Sequence, residues 1–495
     1  MRKTLVGCLA LVGEDARPTD GAVDIVIEGR IIYDIRPARA AAPEGELIDL
    51  TGRLVTAGLI NGHHHSHEGF FKGRNDVLPL ELWMRALKPI VLTPRDIYLR
   101  TMIGAIEAVR SGTTTLGDDA NVGAVINPEH VDAVVQAYED IGIRAYVGVT
   151  LFDKPFIRAV PFVEEEVPPA MLRELEAMPM MRSGERLDFV RRLARTRHPK
   201  QQRVGCMVCP SAPQRCTEAF LRDGRTLADD FDLPVMMHVQ ETRMQVVTGK
   251  LWWGTTMIEY LDRIGFLKPQ TQFIHAIWLN PREIDVLAGA GVTVQHNPAS
   301  ALRSGSGLAP VRALLEAGVN VSLGTDGCGS IESTDMQNVL YLAPLLQRLR
   351  DDKRNWILAK DALRAATLGG ARAFGRGNEL GAITKGRIAD LVAFRIDGIA
   401  FTPLNNPINQ LVYSGRKQVD LVMVDGDVIL ANGRLTRIDE DRLLDEIRAA
   451  HERLAPLLAE AEKDGERFHA PFERIYRRCE GIEIARETYP ARLPH

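Results

Sequence analysis

Six side chains in this sequence can bind a metal ion or carry a proton, and they fall in a shared setting. His63, His65, His238, His275, His296 and Asp326 each stand at or just beyond the end of a short apolar, β-rich run. His63 and His65 are two apart, so in an extended strand both point to one face and can grip the same ion, while His64 points away. His238 and Asp326 bring a third imidazole and a carboxylate. Such a set suits one divalent ion per chain, with zinc first and Fe(II) second, and leaves a position for water. The expected metal ligands are therefore His63, His65, His238 and Asp326. An ion there draws the pKa of water towards neutrality, and Asp326 is placed to take the water's proton. Glu241, three residues after His238, emerges into the same space, where a carboxyl group can protonate a ring nitrogen and a departing group. His275 can orient the attacking water and stabilise developing charge. Glu241, His275 and Asp326 are thus the expected catalytic residues. His296 and His67 are candidate substrate contacts beside them.

Convergence of residues so far apart in the chain needs a frame. Eight apolar runs recur: 58–65, 112–119, 143–150, 204–211, 234–241, 271–278, 291–298 and 320–327. Segments such as PEHVDAVVQAYEDIG and APVRALLEAG lie between them, with apolar residues at i, i+3 and i+4. Eight strand–helix units with continuous apolar strands predict an α/β fold, a (β/α)8 TIM barrel whose functional groups gather at the C-terminal strand ends. The stretch AVDIVIEGRIIYDI reads as a hairpin, and β patterning returns in GAITKGRIADLVAFR and VDLVMVDGDVILANGRL. The barrel (57–380) is therefore expected to be inserted in a small β-sandwich made by residues 1–56 and 381–435. Residues 436–495 read as a helical tail, and 151–203, too long for a simple crossover, as a lid.

Composition excludes several classes. With 61 basic and 65 acidic residues among 495, the net charge is −4, which gives no footprint for nucleic acid or an anionic membrane. The apolar run near the N-terminus follows Arg2 and Lys3 but is short and lacks a convincing cleavage site, so it reads as a first strand. No stretch approaches the roughly 18 apolar residues of a membrane span. Six scattered cysteines suit a reducing cytoplasm. Cys206 and Cys209 form a CxxC, but in a strand they face opposite sides. GxGxxG and P-loop patterns are missing, so no nucleotide cofactor is expected. Trp83, Phe70, Phe71, Trp252 and Trp253 are candidates for an apolar wall against a flat ring.

The ordered motifs HHH (63–65), SGTTT (111–115), HVQE (238–241), IHA (274–276), QHNPAS (295–300) and GTD (324–326) resemble the amidohydrolase superfamily. Within it, the chain looks most like the group of cytosine, guanine and S-adenosylhomocysteine deaminases and triazine hydrolases. The resemblance spans roughly residues 1–435. It implies the same roles for His63, His65, His238, Asp326, Glu241 and His275. The fourth run has no lysine, so the resemblance implies one metal rather than two. A histidine usual after the fourth strand is replaced here by Ser211, which becomes a candidate substrate contact. Members acting on adenosine-like nucleosides carry a glutamate after a Trp-Leu segment; LWMRALKPIVLTPRD has none, which disfavours a nucleoside. The implied activity is hydrolytic deamination of a pyrimidine-, purine- or triazine-like small molecule. The same machinery serves amide, urea or carbamate hydrolysis, or dehalogenation. A non-catalytic scaffold would be expected to have lost ligands, and the whole set is present. A homodimer or homotetramer is the group's habit.

Overall fold

The computed structural model describes residues 2–489 except 75, 77, 87–89, 351 and 486. All eight predicted runs are strands of one parallel sheet: Leu59–His64, Thr113–Ala120, Arg144–Leu151, Val204–Pro210, Val235–Val239, Thr271–His275, Thr293–His296 and Asn320–Leu323. Each pairs with its sequence neighbours in order, and the last returns to the first, where the Asp326 N–H donates to the His63 carbonyl at 3.0 Å. The result is a (β/α)8 barrel.

Alternation within the strands explains why they are apolar throughout. Tyr146, Met207, Cys209, Met236 and Ile274 point inward and fill the barrel with Phe374. Their neighbours Val147, Cys206, Val208, Val235 and Phe273 point outward against the helices. Both faces are covered, as a parallel sheet requires, and Cys206 and Cys209 do face opposite sides. The helices begin and end on local signals. Thr93 and Asp96 form a capping box before Pro94–Arg110, and Asn280 and Glu283 do the same for Pro281–Ala290, which stops at Gly291 in the left-handed region. These stops send the chain back to the barrel's base, so every strand runs towards the same mouth.

Strands from the two ends of the chain form a second sheet of ten strands. Arg2–Val12 pairs with Val23–Glu28 through its first half and with Arg53–Ala57 through its second, so one long strand serves both leaves of the expected sandwich. The register breaks between Leu5 and Cys8, around Gly7 at φ 73°, where a Cβ would meet the Thr51 hydroxyl at 2.8 Å. Leu391–Arg395 lies beside Arg53–Ala57 and leads to Val419–Val424 and Asp427–Ala431. Sheet and barrel are joined by a buried ion cluster, in which Arg144 at the start of the third barrel strand meets Asp390 at 3.0 Å and Asp425 at 2.6 Å. Removing one partner leaves a buried charge uncompensated. Asp390→Ala is expected to cost about 3 kcal/mol in denaturant unfolding; an unchanged midpoint would show that Asp425 alone satisfies Arg144.

The two segments of unassigned role meet over the mouth. Within 151–203, Ser183–Thr196 is an ordinary barrel helix packed on the fourth strand, whereas Val163–Glu166 and Pro169–Glu176 stand above the rim. The tail forms helices Glu440–Glu466 and His469–Glu480. Ile157, Leu172 and Leu175 of the lid pack with Leu82, Met244 and the tail's Phe468, Phe472 and Ile475 in one apolar cluster. The tail is thus part of the roof. Among the described residues, no helix is long and apolar enough to cross a membrane.

Candidate active site

The strand ends deliver their side chains to one point. The His63 and His65 rings lie 4.5 Å apart, and His63 and His238 4.9 Å apart. Asp326 Oδ1 stands 3.6 Å from His63 Nε2 and 3.5 Å from His65 Nε2, and its Oδ2 stands 3.7 Å from His275 Nε2. His64 faces the other way, towards Gly104 on the covering helix.

Backbone carbonyls set the imidazole orientations. His65 Nδ1 bonds the Asp119 carbonyl at 3.0 Å, and His238 Nδ1 bonds the Ser211 carbonyl at 3.1 Å. With Nδ1 of each occupied, Nε2 is the nitrogen left for the shared centre, the usual arrangement around a metal. Asp326 lies beyond the end of its strand rather than in it. It sits at φ 72°, and Gln240, His275 and Ala276 also have positive φ. Such conformations cost non-glycine residues energy and gather where structure is built for a site.

The donor set fits a divalent cation. Both ring nitrogens of His63 are buried without a hydrogen-bond partner, which is expensive unless something is bound. Ligand atoms of His63, His65 and Asp326, and likewise of His63, His238 and His275, all lie within 4.8 Å of one another. The electrostatics agree. Burial lowers the His65 pKa, but Glu68, Asp326 and Asp119 outweigh it and raise it to about 9, so the surroundings favour a cation there. Burial pushes Asp326 up, but His63, His65 and His275 hold it well below the usual carboxylate range.

Glu241 and His275 lie beside this centre, with Glu241 Oε1 3.5 Å from His275 Nε2. Burial, reinforced by the charges of Asp326, Glu81 and Glu68, raises Glu241 well above its ordinary value. Its backbone N–H donates to Gln245 Oε1 at 2.9 Å, which fixes the strand end. Burial lowers His275 to about 3, leaving a neutral ring. Its Nδ1 faces the Asn297 side-chain amide at 3.5 Å, and its Nε2 is turned towards Glu241 and Asp326.

The centre opens into a cavity of about 520 Å³, a volume suited to a small organic molecule. His67, Trp83 and Ser211 line it, as do Phe70 and Phe71. His296, expected in the wall, is buried near His275 but does not line the cavity. Trp252 and Trp253 lie elsewhere, Trp253 stacked on Tyr260 at 4.1 Å and Trp252 partly exposed. Several lining residues escaped the sequence reading. Asp119 ends the second strand and was visible there as one more strand-end carboxylate. Glu68, Glu81, Arg100 and Arg215 carry no local signal, nor do the tail's Asp464, Arg467 and Phe468.

Comparison with known proteins agrees with this geometry. The model of the amidohydrolase family matches residues 54–429. The chain is 34% identical over 431 residues to a 5'-deoxyadenosine deaminase of Methanothermobacter thermautotrophicus, covering 86% of this chain and 93% of the relative. It is 35% identical over 415 residues to a 5-methylthioadenosine/S-adenosylhomocysteine deaminase of Thermococcus kodakarensis, covering 82% and 89%. An adenosine deaminase from Xanthomonas campestris with bound zinc superposes with a TM-score of 0.80 at 27% identity, over 92% of this chain and 99% of that one. An atrazine chlorohydrolase from Arthrobacter aurescens complexed with zinc gives 0.82 at 24% identity, over 91% and 100%, a likeness of fold. The clustered strand-end histidines, the barrel and the family match therefore agree: the chain belongs to the amidohydrolase family.

Proposed function

We propose that this chain is a mononuclear metal-dependent deaminase of aminated nitrogen heterocycles. His63, His65, His238 and Asp326 would hold one divalent ion, zinc in preference to Fe(II). The observation that carries this reading is the convergence of His63, His65 and His275 Nε2 on Asp326, His63 being buried with no hydrogen-bond partner, and Glu241, raised well above its ordinary value by burial, beside them. When bound, the ion supplies Lewis acidity that brings the pKa of water towards neutrality.

This chain's own residues do the rest. Asp326, held ionised, takes one proton from the attacking water. His275 directs its Nε2–H at the incoming oxygen and steadies the charge that develops there. Glu241 gives its proton to the ring nitrogen next to the reacting carbon, which makes that carbon electrophilic. Asp326 then passes its proton to the amino group, the C–N bond breaks and ammonia leaves. The proton remaining on the new oxygen returns to Glu241 as the carbonyl forms. Water's oxygen ends on the ring, and its two protons end on ammonia and on Glu241.

The named activities of the relatives support a purine-type ring. They also bring nucleosides back within the substrate class, against the lean of the sequence. The ribose-binding glutamate is still missing from the stretch after Trp83, of which residues 87–89 lie outside those described. Six free, buried cysteines fit a reducing cytoplasm. Screening the zinc-loaded protein tests the reading: ammonia release is expected from aminated purines, their nucleosides or triazines. Amine release from ureas or carbamates, with no ammonia from any ring, would replace it with acyclic C–N hydrolysis.

A further inference from the structure

The cavity wall holds a cationic side chain that the mechanism does not use. Arg215 closes the turn Pro213–Arg215 beyond the fourth strand, in the loop whose Ser211 carbonyl bonds His238 Nδ1. Its guanidinium lies 4.4 Å from the Phe152 ring centroid and 5.4 Å from that of Phe156, and all three residues line the cavity. The rings attract the cation but leave its N–H groups unsatisfied. The Arg186 guanidinium also lies 4.4 Å from Phe152, but its Nη1 donates to the Thr150 carbonyl at 3.2 Å and its Nη2 to that of Ala124. The structural task beside Phe152 thus falls to Arg186, which joins the third strand to the loop after the second. Arg215 spends no donor in this way. Its Nε is buried without a partner, and among the described residues neither Nη atom meets an acceptor or a carboxylate. Burial pulls its pKa down to about 10, with Arg186 adding to the fall and Cys216 and Asp119 opposing it, so the group stays charged at neutral pH. Gln214 repeats the pattern. It is only 7% exposed, lines the same cavity, and its side-chain amide makes no hydrogen bond among the described residues. A buried positive charge without a counter-charge is costly, and an unpaired amide beside it adds to the cost.

The chemistry of the unused groups indicates what they receive. Arg215 offers donors in a planar fork, the geometry that takes a carboxylate or phosphate through two parallel bonds, and the Gln214 amide can add a third. Carboxylates of the same wall are taken up elsewhere: Asp119 accepts from the Thr150 hydroxyl, and Glu174 pairs with Arg467. We propose that Arg215 and Gln214 form an anion subsite of the active-site cavity, which receives a carboxylate or phosphate group carried by the substrate. A cavity of about 520 Å³ takes a ring with such a substituent. This rests on the deaminase reading and narrows its substrate class: aminated heterocycles with an acidic group are selected over neutral ones.

The test uses two pairs of compounds that differ in charge at one group, on the zinc-loaded full chain. Adenosine 5'-monophosphate is compared with adenosine, and adenosine 5'-carboxylate with adenosine 5'-carboxamide. Calorimetry reads binding and ammonia release reads kcat/KM. The wild type is expected to prefer the acidic member of at least one pair by about 100-fold in both, the effect of charge-assisted bonds to a guanidinium. The pair that shows it tells phosphate from carboxylate. Arg215→Met should bring that ratio close to one. Arg215→Lys, which keeps the charge and loses the fork, should retain part of it. No preference for the acidic member of either pair, or a preference that survives Arg215→Met, would overturn the inference. If the Met variant fails to fold, Gln214→Leu decides: an undiminished ratio overturns the inference and a reduced one supports it. Ammonia from none of the compounds, with an Arg215-dependent binding preference intact, would sink the deaminase reading and leave the subsite standing. Ammonia from acidic and neutral members at similar kcat/KM would do the reverse.

Discussion

Glu241→Gln is expected to lower kcat by about 10³-fold while leaving metal content and fold unchanged. Glutamine keeps the side chain's volume, and the backbone bond to Gln245 does not depend on the carboxyl. It cannot deliver a proton of the required acidity to a ring nitrogen or take one back. Glu241 stands beside the proposed ligands, with its carboxyl 3.5 Å from the His275 ring. Loss of rate with the ion retained therefore separates proton transfer from metal binding. Turnover within a few-fold of the wild type would remove Glu241 from the mechanism and pass the proton to another group.

His238→Ala is expected to act through the ion itself. Its ring is held between the Ser211 carbonyl and the shared centre. Loss of an outer partner alone typically costs 10–100-fold in metal affinity, so loss of a ligand should exceed ~100-fold and abolish ammonia release after dialysis. The barrel should persist, because His238 belongs to the mouth and the packing of the fifth strand rests on Val235, Met236 and Met237. Dialysis followed by metal analysis checks this. A variant retaining both its ion and its rate would show that His238 is not a ligand.

What the sequence made legible was whatever depends on local period. Each barrel run announced itself by length, β-branched content and the helical pattern after it, and histidines and carboxylates at the ends of such runs have one natural meeting place. Period is silent on direction at the rim. His275 and His296 both end strands, yet the first reaches the cavity and the second lies behind it. Asp326 reaches the centre only because the chain turns through a left-handed residue beyond its strand. The roof was hidden for another reason. Leu82, Leu172, Met244 and Phe468 meet across nearly four hundred residues, and no local pattern links them. For the same reason the tail read as an appendage.

Metal analysis of the purified full chain, run with an ammonia-release assay on the same samples before and after chelation, bears most directly on this mechanism. About one zinc or iron per chain is expected, with turnover lost as the ion is stripped and restored as one equivalent returns. A metal-free chain that releases ammonia at the undiminished rate would contradict it.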